Sequence, residues 1–153
     1  MKHLLIVTHT PSTNSQALSD AVTRGASHPD ITGIELRVKP ALEAAPVDVL
    51  WANGIILGTT ENFGYMSGGM KDFFDRIYYP CLEQTQALPY ALFVRAGNDG
   101  HGAETSMERI IKGLRWKQVQ GTLICAGEFR QSCVYACEEL GMTMAAGLEA
   151  GIY

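Results

Sequence analysis

Hydrophobic residues along the chain follow two patterns, and the first is typical of strands. Short apolar runs that suit strands lie at residues 4–8, 33–38, 54–58, 90–95 and 120–126. The first, third and fifth runs are almost continuously apolar, which is typical of strands buried on both faces of a parallel sheet. In the second run, Glu35 and Arg37 alternate with apolar residues. This pattern predicts an edge strand with one face in water.

The second pattern has the helical period and lies in the segments between the apolar runs. Apolar residues recur at the helical period over residues 15–27, 68–78, 102–117 and 131–149, with a shorter turn at 47–51. This alternation predicts one α/β domain over residues 1–153, with a parallel sheet, right-handed crossovers and helices on both faces. Five strands match the flavodoxin-like doubly wound order 2-1-3-4-5, in three layers. In such a sheet, ligands bind outside the carboxyl ends of the strands.

Composition and charge narrow the function. The 153 residues are 46% hydrophobic and 18% charged, with a net charge of −4, which is typical of a globular protein. With no basic block to compensate, this charge disfavours nucleic acid and anionic membranes as partners. The four cysteines lack the C-x-x-C spacing of a zinc site, so we expect no metal. Free thiols and no export signal favour a cytoplasmic location.

The first candidate loop follows the first strand. The stretch "HTPSTNSQALSD" at residues 9–20 contains neither a P-loop nor a G-x-G-x-x-G fingerprint. It places a row of hydroxyl groups and an amide where a helix begins, and the first N–H groups of a helix are unpaired. Such a site can bind one compact phosphate without a lysine. The alternative is a plain helix cap by Thr13 or Asn14.

This loop resembles the phosphate loop of flavodoxins, which has the form T-x-[ST]-G-x-T. Residues 10–15 match it in order, with Thr13 in place of the frequent glycine and Ser15 in place of threonine. Because Thr13 is not glycine, its backbone must avoid the left-handed conformation. The resemblance implies that FMN is the cofactor. Its phosphate would then be bound by Thr10, Ser12, Thr13, Asn14 and Ser15.

The second loop follows the third strand and reads "GTTENFGYMSGGMKDFFDRIYY". It resembles the flavin loop of NADPH-dependent FMN reductases and of NAD(P)H:quinone oxidoreductases of the tryptophan-repressor-binding-protein type. The matching residues are Thr60, Phe63, Gly64, Met66, Gly68, Met70, Lys71, Phe73 and Asp75. The resemblance implies that the flavin contacts Thr60, Glu61, Asn62, Phe63, Gly64, Tyr65 and Met66. Phe73 and Phe74 suit the core instead, and Lys71 and Asp75 suit an ion pair or an oligomer contact.

The third loop follows the fourth strand and is rich in glycine. In the resembled families it lies against the pyrimidine edge of the flavin, which implies that the cofactor contacts Ala96, Gly97, Asn98, Asp99 and Gly100. His101 and Tyr65 are the candidate proton donors near the ring, and a solvated histidine is the alternative for His101.

The same loop bears on function. It has no aromatic residue between Arg95 and Glu104, whereas many flavodoxins cover the flavin there. An open face leaves room for a nicotinamide or a quinone. The resemblance therefore implies an FMN-dependent oxidoreductase that takes hydride from NADH or NADPH and reduces a quinone or another small acceptor. The alternatives are a flavodoxin-type electron carrier without its own NAD(P)H turnover and a binding protein without flavin. The helix after the second loop could form a homodimer.

Overall fold

Seven strands and five helices follow one another in the computed structural model, which describes residues 1–153. The strands are β1 (Lys2–Thr8), β2 (Ile34–Pro40), β3 (Gly54–Asn62), β4 (Tyr65–Met66), β5 (Pro89–Ala96), β6 (Lys117–Gln118) and β7 (Leu123–Ala126). The helices are α1 (Thr13–Ala26), α2 (Pro46–Trp51), α3 (Gly68–Cys81), α4 (His101–Leu114) and α5 (Gln131–Glu149). None of them combines the length and the apolar character that a bilayer crossing needs.

The sheet has the predicted strand order. Its strands run β2-β1-β3-β5, and β6 and β7 both pair in parallel with β5 at the far edge. Taken as five positions in chain order, this is 2-1-3-4-5, and β2 is an edge strand as its alternating pattern indicates. The short strand β4 pairs antiparallel with the end of β3 and forms a hairpin.

The continuous apolar runs are explained by burial on both faces of the sheet. In β1, Leu4 and Ile6 pack with α1 and α5, whereas Leu5 and Val7 pack with α2, α3 and α4. All four side chains are fully buried. The three predicted layers are therefore present, with one apolar core on each side of the sheet.

Several element boundaries differ from those predicted, among them the ends of β3 (Asn62 rather than residue 58) and of α3 (Cys81 rather than residue 78). Helix α4 ends at Leu114 rather than at residue 117, because Arg115 has a left-handed backbone (φ 60°) and the next residues join the sheet as β6. The predicted fifth strand at residues 120–126 begins only at Leu123. Helix α1 begins at Thr13, two residues earlier than predicted, because Ser12 caps it.

The strand register brings the predicted loops to one edge. Thr8 of β1 is aligned with Gly58 of β3, and Gly58 is aligned with Phe93 of β5. The segments that follow β1, β3 and β5 therefore leave the sheet side by side at its carboxyl edge.

Candidate functional site

The first loop ends in a capped helix start. Ser12 Oγ accepts a hydrogen bond from the Ser15 N–H group at 3.1 Å, and Ser15 Oγ accepts one from the Ser12 N–H group at 3.0 Å. The cap is therefore Ser12, and the alternative prediction of a cap at Thr13 or Asn14 is wrong. Ser15 is buried with its hydroxyl group inside this capping box, so it supports the loop from within.

Donors remain free at the start of α1. The N–H groups of Thr13 and Asn14 have no hydrogen-bond partner within the protein. No acidic residue lies in the first turn, and a helix N-terminus favours an anion there by about 0.3–1 kcal/mol. Thr13 lies in the helix with a negative φ, so it needs no left-handed conformation. This end of α1 can accept a phosphate.

The second loop is a tight hairpin with an exposed aromatic at its tip. Asn62 pairs with Tyr65, so Phe63 and Gly64 form the two-residue turn, with φ values of 55° and 70°. Positive φ at both positions is the signature of the type I′ turn. Phe63 is fully exposed, although a left-handed backbone costs a residue with a side chain about 1–2 kcal/mol.

The other residues of this loop divide between surface and interior. Tyr65 is 43% exposed, whereas Met66 is 2% exposed and packs in the core with Met70 and Phe73. The side chain of Met66 is therefore part of the core, and its predicted contact with the flavin stays a prediction for its backbone alone. Thr60 is also buried, and its hydroxyl group donates to Asn62 Oδ1 at 3.1 Å.

His9 links the first loop to the second. Its Nδ1 atom lies 2.8 Å from Ser67 Oγ, and Ser67 caps α3 by accepting from the Met70 N–H group. The ring of His9 also fills the space that a side chain at residue 69 would need. Sequence reasoning missed this histidine, because a ring that bridges two loops leaves no spacing signal.

The third loop presents a row of free donors. The N–H groups of Gly97, Asn98, Asp99 and Gly100 make no hydrogen bond within the protein. Gly100 has a φ of 77° and precedes the first residue of α4. Asp99 Oδ1 accepts from the His101 N–H group at 3.0 Å. Four consecutive donors suit the acceptor edge of a flat heterocycle. Ala96, at the end of β5, is 2% exposed.

The second and third loops contact each other directly. Glu61 Oε2 accepts from the Ala103 N–H group at 3.4 Å, in the first turn of α4. A β-carbon at Gly102 would overlap the carbonyl oxygen of Gly64. The Met66 N–H group donates to Ser106 Oγ at 3.0 Å. Together with the His9 link, these contacts join all three loops.

The two candidate proton donors lie on the outer side of this arrangement. His101 is exposed, and its Nδ1 atom is 3.5 Å from Glu104 Oε1. Tyr65 and His101 line one cavity with Lys71. The predicted ion pair of Lys71 and Asp75 is confirmed at 2.7 Å, and this hydrogen bond raises the pKa of Lys71.

The cysteines form no site of their own. All four are free, and no cluster of histidine, cysteine and carboxylate side chains could hold a metal ion. Burial raises the pKa of Cys81 to about 11 and that of Cys133, also to about 11. Such thiols are poor nucleophiles at neutral pH. Phe73 and Phe74 lie in the core, as predicted.

Comparison with known proteins gives one curated relative and many structural neighbours. No family model matches the chain. A protein named flavodoxin from Aquifex aeolicus (strain VF5) is 31% identical over 114 residues, which is 74% of this chain. The match spans only 60% of that relative's length.

Solved structures agree on the fold. A flavodoxin from the domain Archaea superimposes with a TM-score of 0.81 at 17% identity, covering 96% of this chain and 99% of that one. A flavodoxin described as WrbA-like, from Agrobacterium tumefaciens, gives 0.77 at 15% identity and covers 99% of both chains. Flavodoxin 2 from Bacillus cereus gives 0.76 at 20% identity, covering 95% and 99%. The chain therefore has the flavodoxin-like fold that its strand order predicts.

Proposed function

We propose that this protein binds FMN at the carboxyl edge of the sheet and acts as an electron-transfer protein of the flavodoxin type. The curated relative that is 31% identical bears the name flavodoxin, which favours an electron carrier over an enzyme with its own NAD(P)H turnover. The observation that carries the proposal is the direct contact among the three strand-end loops, through His9 with Ser67 and through Glu61 with Ala103.

The residues present fit FMN at both of its polar ends. The phosphate group would be held by the free N–H groups of Thr13 and Asn14, with the hydroxyl groups of Thr10, Ser12 and Thr13 around it. Hydrogen bonds from such donors to a charged acceptor are the strong ones. The Thr10 hydroxyl group donates its only proton to Gln16 Oε1 at 2.8 Å, so it would bind the phosphate by turning that proton away from Gln16.

The middle and the far end of the cofactor would meet the other two loops. The isoalloxazine ring would lie beside the hairpin tip, where Phe63 is fully exposed. The pyrimidine edge would accept from the free N–H groups between Gly97 and Gly100. FMN, once bound, supplies one- and two-electron transfer. The chain supplies position, access and the surrounding charge.

An absorption spectrum of the purified protein tests the cofactor, since bound flavin is yellow. We expect flavin bands in the purified protein, or on addition of FMN to a colourless preparation. A protein that remains colourless after incubation with FMN and gel filtration would contradict the proposal and favour a binding protein without flavin.

The second candidate function is an NADH- or NADPH-dependent reductase of a quinone or another small acceptor. It is favoured by the small residues of the third loop, since no aromatic lies between Arg95 and Glu104 to cover the ring. In this case His101 or Tyr65 would deliver the proton. Both are accessible to solvent.

Anaerobic mixing of the FMN-loaded protein with NADH or NADPH separates the two functions. Rapid bleaching of the flavin absorbance, with turnover on addition of a quinone, would support the reductase. A flavin that dithionite reduces but neither pyridine nucleotide reduces would support the carrier. The homodimer through α3 and the cytoplasmic location stay predictions, and sedimentation velocity tests the first.

A further inference from the structure

A second cavity lies beside the candidate flavin site, between the β3–β4 hairpin and helices α3 and α4. We name it the α3–α4 cavity. Its volume is about 480 Å3, within the range of roughly 300–1,000 Å3 that small-molecule sites occupy. Its walls are formed by Gly64 and Tyr65 of the hairpin, by Lys71 of α3, and by the face of α4 that carries His101, Arg109 and Ile110.

The wall of this cavity is basic, although the chain as a whole is acidic. The whole sequence has 16 acidic and 12 basic residues, yet the wall contains Lys71 and Arg109 and no carboxylate. Lys71 is already neutralised by Asp75 at 2.7 Å, and His101 lies 3.5 Å from Glu104. Arg109 is therefore the cation that the cavity offers.

Arg109 differs from most other arginines of the chain in having no partner. Arg24, Arg37, Arg76 and Arg115 each pair with a carboxylate, and Arg95 donates to two backbone carbonyls. The guanidinium group of Arg109 makes no hydrogen bond or ion pair within the protein. Its planar fork of donors matches a carboxylate, sulfonate or phosphate group.

The rest of the wall suits a flat apolar body. Tyr65 contributes a ring that is 43% exposed, and Ile110 lies on the same side of α4 as Arg109 in the cavity wall. Gly64 and Gly102 add no side chains, so the hairpin seats closely on α4. Aromatic surface beside a single cation favours an aromatic anion over an inorganic ion.

We propose that the α3–α4 cavity binds a small aromatic molecule that carries one anionic group, with the anion on Arg109 and the ring against Tyr65 and Ile110. Under the second candidate function such a ligand is the small electron acceptor, because the hairpin that forms this wall also borders the candidate flavin site. That role rests on FMN binding and on the second candidate function, whereas the binding itself rests on neither.

Isothermal titration calorimetry with 9,10-anthraquinone-2-sulfonate tests the proposal on the full chain. We expect the sulfonate to bind saturably at one site. The affinity should be about tenfold lower for the neutral 2-(hydroxymethyl)anthraquinone, and the affinity for the sulfonate should be about tenfold lower in Arg109→Gln. Arg109 is exposed, so its loss should leave the fold intact, which circular dichroism verifies. Lys112→Gln is the matched control, because Lys112 is an exposed cation on the same helix outside the cavity.

Three results would overturn the proposal. They are absence of binding, an equal loss of affinity in Arg109→Gln and Lys112→Gln, and complete displacement of the sulfonate by saturating FMN, which would place it in the flavin crevice. Failure of the protein to bind FMN is a separate result, since it would refute the proposed function and leave the calorimetry with the sulfonate valid.

Discussion

Replacing Thr13 with proline should weaken FMN binding without weakening the fold. Thr13 is the first residue of α1, and its N–H group is one of the two free donors at that helix start. Proline at this position loses that N–H group and the hydroxyl group but keeps the helix start, because its fixed φ suits the first helical residue. The preceding residue must be extended, and Ser12 already is, with φ −112° and ψ 161°.

The expected loss follows from the strength of one hydrogen bond to a charged acceptor. Such a bond contributes about 1.5–3 kcal/mol, and about 1.4 kcal/mol corresponds to a factor of ten in affinity. We therefore expect the Kd for FMN to rise roughly 10- to 150-fold in Thr13→Pro. Thr13→Ala is the matched control, because it also removes the hydroxyl group but keeps the N–H group.

Calorimetric titration of each variant with FMN measures the effect, and urea unfolding verifies that stability has not changed. The ratio of the two Kd values isolates the N–H group from the hydroxyl group. Equal affinities in Thr13→Pro and Thr13→Ala, with both variants folded, would refute the placement of the phosphate at the start of α1.

Three other changes test the packing, the hairpin and the thiols. Gly141→Ala should destabilise the protein by about 1–3 kcal/mol, because a β-carbon there would overlap the carbonyl oxygen of Val22. The control is Gly121→Ala, since a β-carbon at residue 121 would have no neighbouring atom within 4 Å. Equal urea midpoints for the two variants would contradict this close packing of α1 against α5. Phe63→Gly should raise the free energy of unfolding by about 0.5–1 kcal/mol, because glycine adopts the left-handed backbone without strain, and it should lower the affinity for FMN. A lower urea midpoint in this variant would show that the turn is not strained. The rate at which iodoacetamide alkylates Cys133, measured by peptide mass mapping, should rise about tenfold per pH unit up to the raised pKa of this thiol, about 11. A rate that levels off below pH 9 would contradict the burial of Cys133.

The layers and the strand order could be predicted because burial leaves a strong signal in sequence. Strand β1 is apolar at every position from Leu4 to Val7 because both faces of the sheet are covered there. Strand β2 alternates because only one face is covered. The loops followed from topology, since parallel strands carry their carboxyl ends to one edge.

The predicted ends of helices and strands were wrong where local backbone geometry overrode the hydrophobic pattern. Phe63 turns the chain with a positive φ, which phenylalanine rarely adopts, so the hairpin that includes β4 gave no usual turn signal. Arg115 ends α4 in the same way, although the apolar Trp116 follows it directly. Short strands such as Lys117–Gln118 have too few residues for any periodicity.

Individual site residues were harder to predict than the site itself. Met66 lies in a loop motif, yet its side chain turns into the core, since strand β4 alternates Tyr65 outward and Met66 inward. His9 joins two loops through Ser67, a contact across 58 positions of sequence. Arg109 became a candidate only when the structure showed that it lines a cavity and forms no ion pair within the protein.

The most direct test of the FMN site compares FMN with riboflavin, which lacks only the phosphate group. Each flavin is titrated with the protein, and quenching of its fluorescence reports binding. The arrangement of loops predicts saturable one-to-one binding of FMN and much weaker binding of riboflavin, because riboflavin cannot use the donors of Thr13 and Asn14. Unquenched FMN in excess protein, or equal affinity for the two flavins, would contradict it.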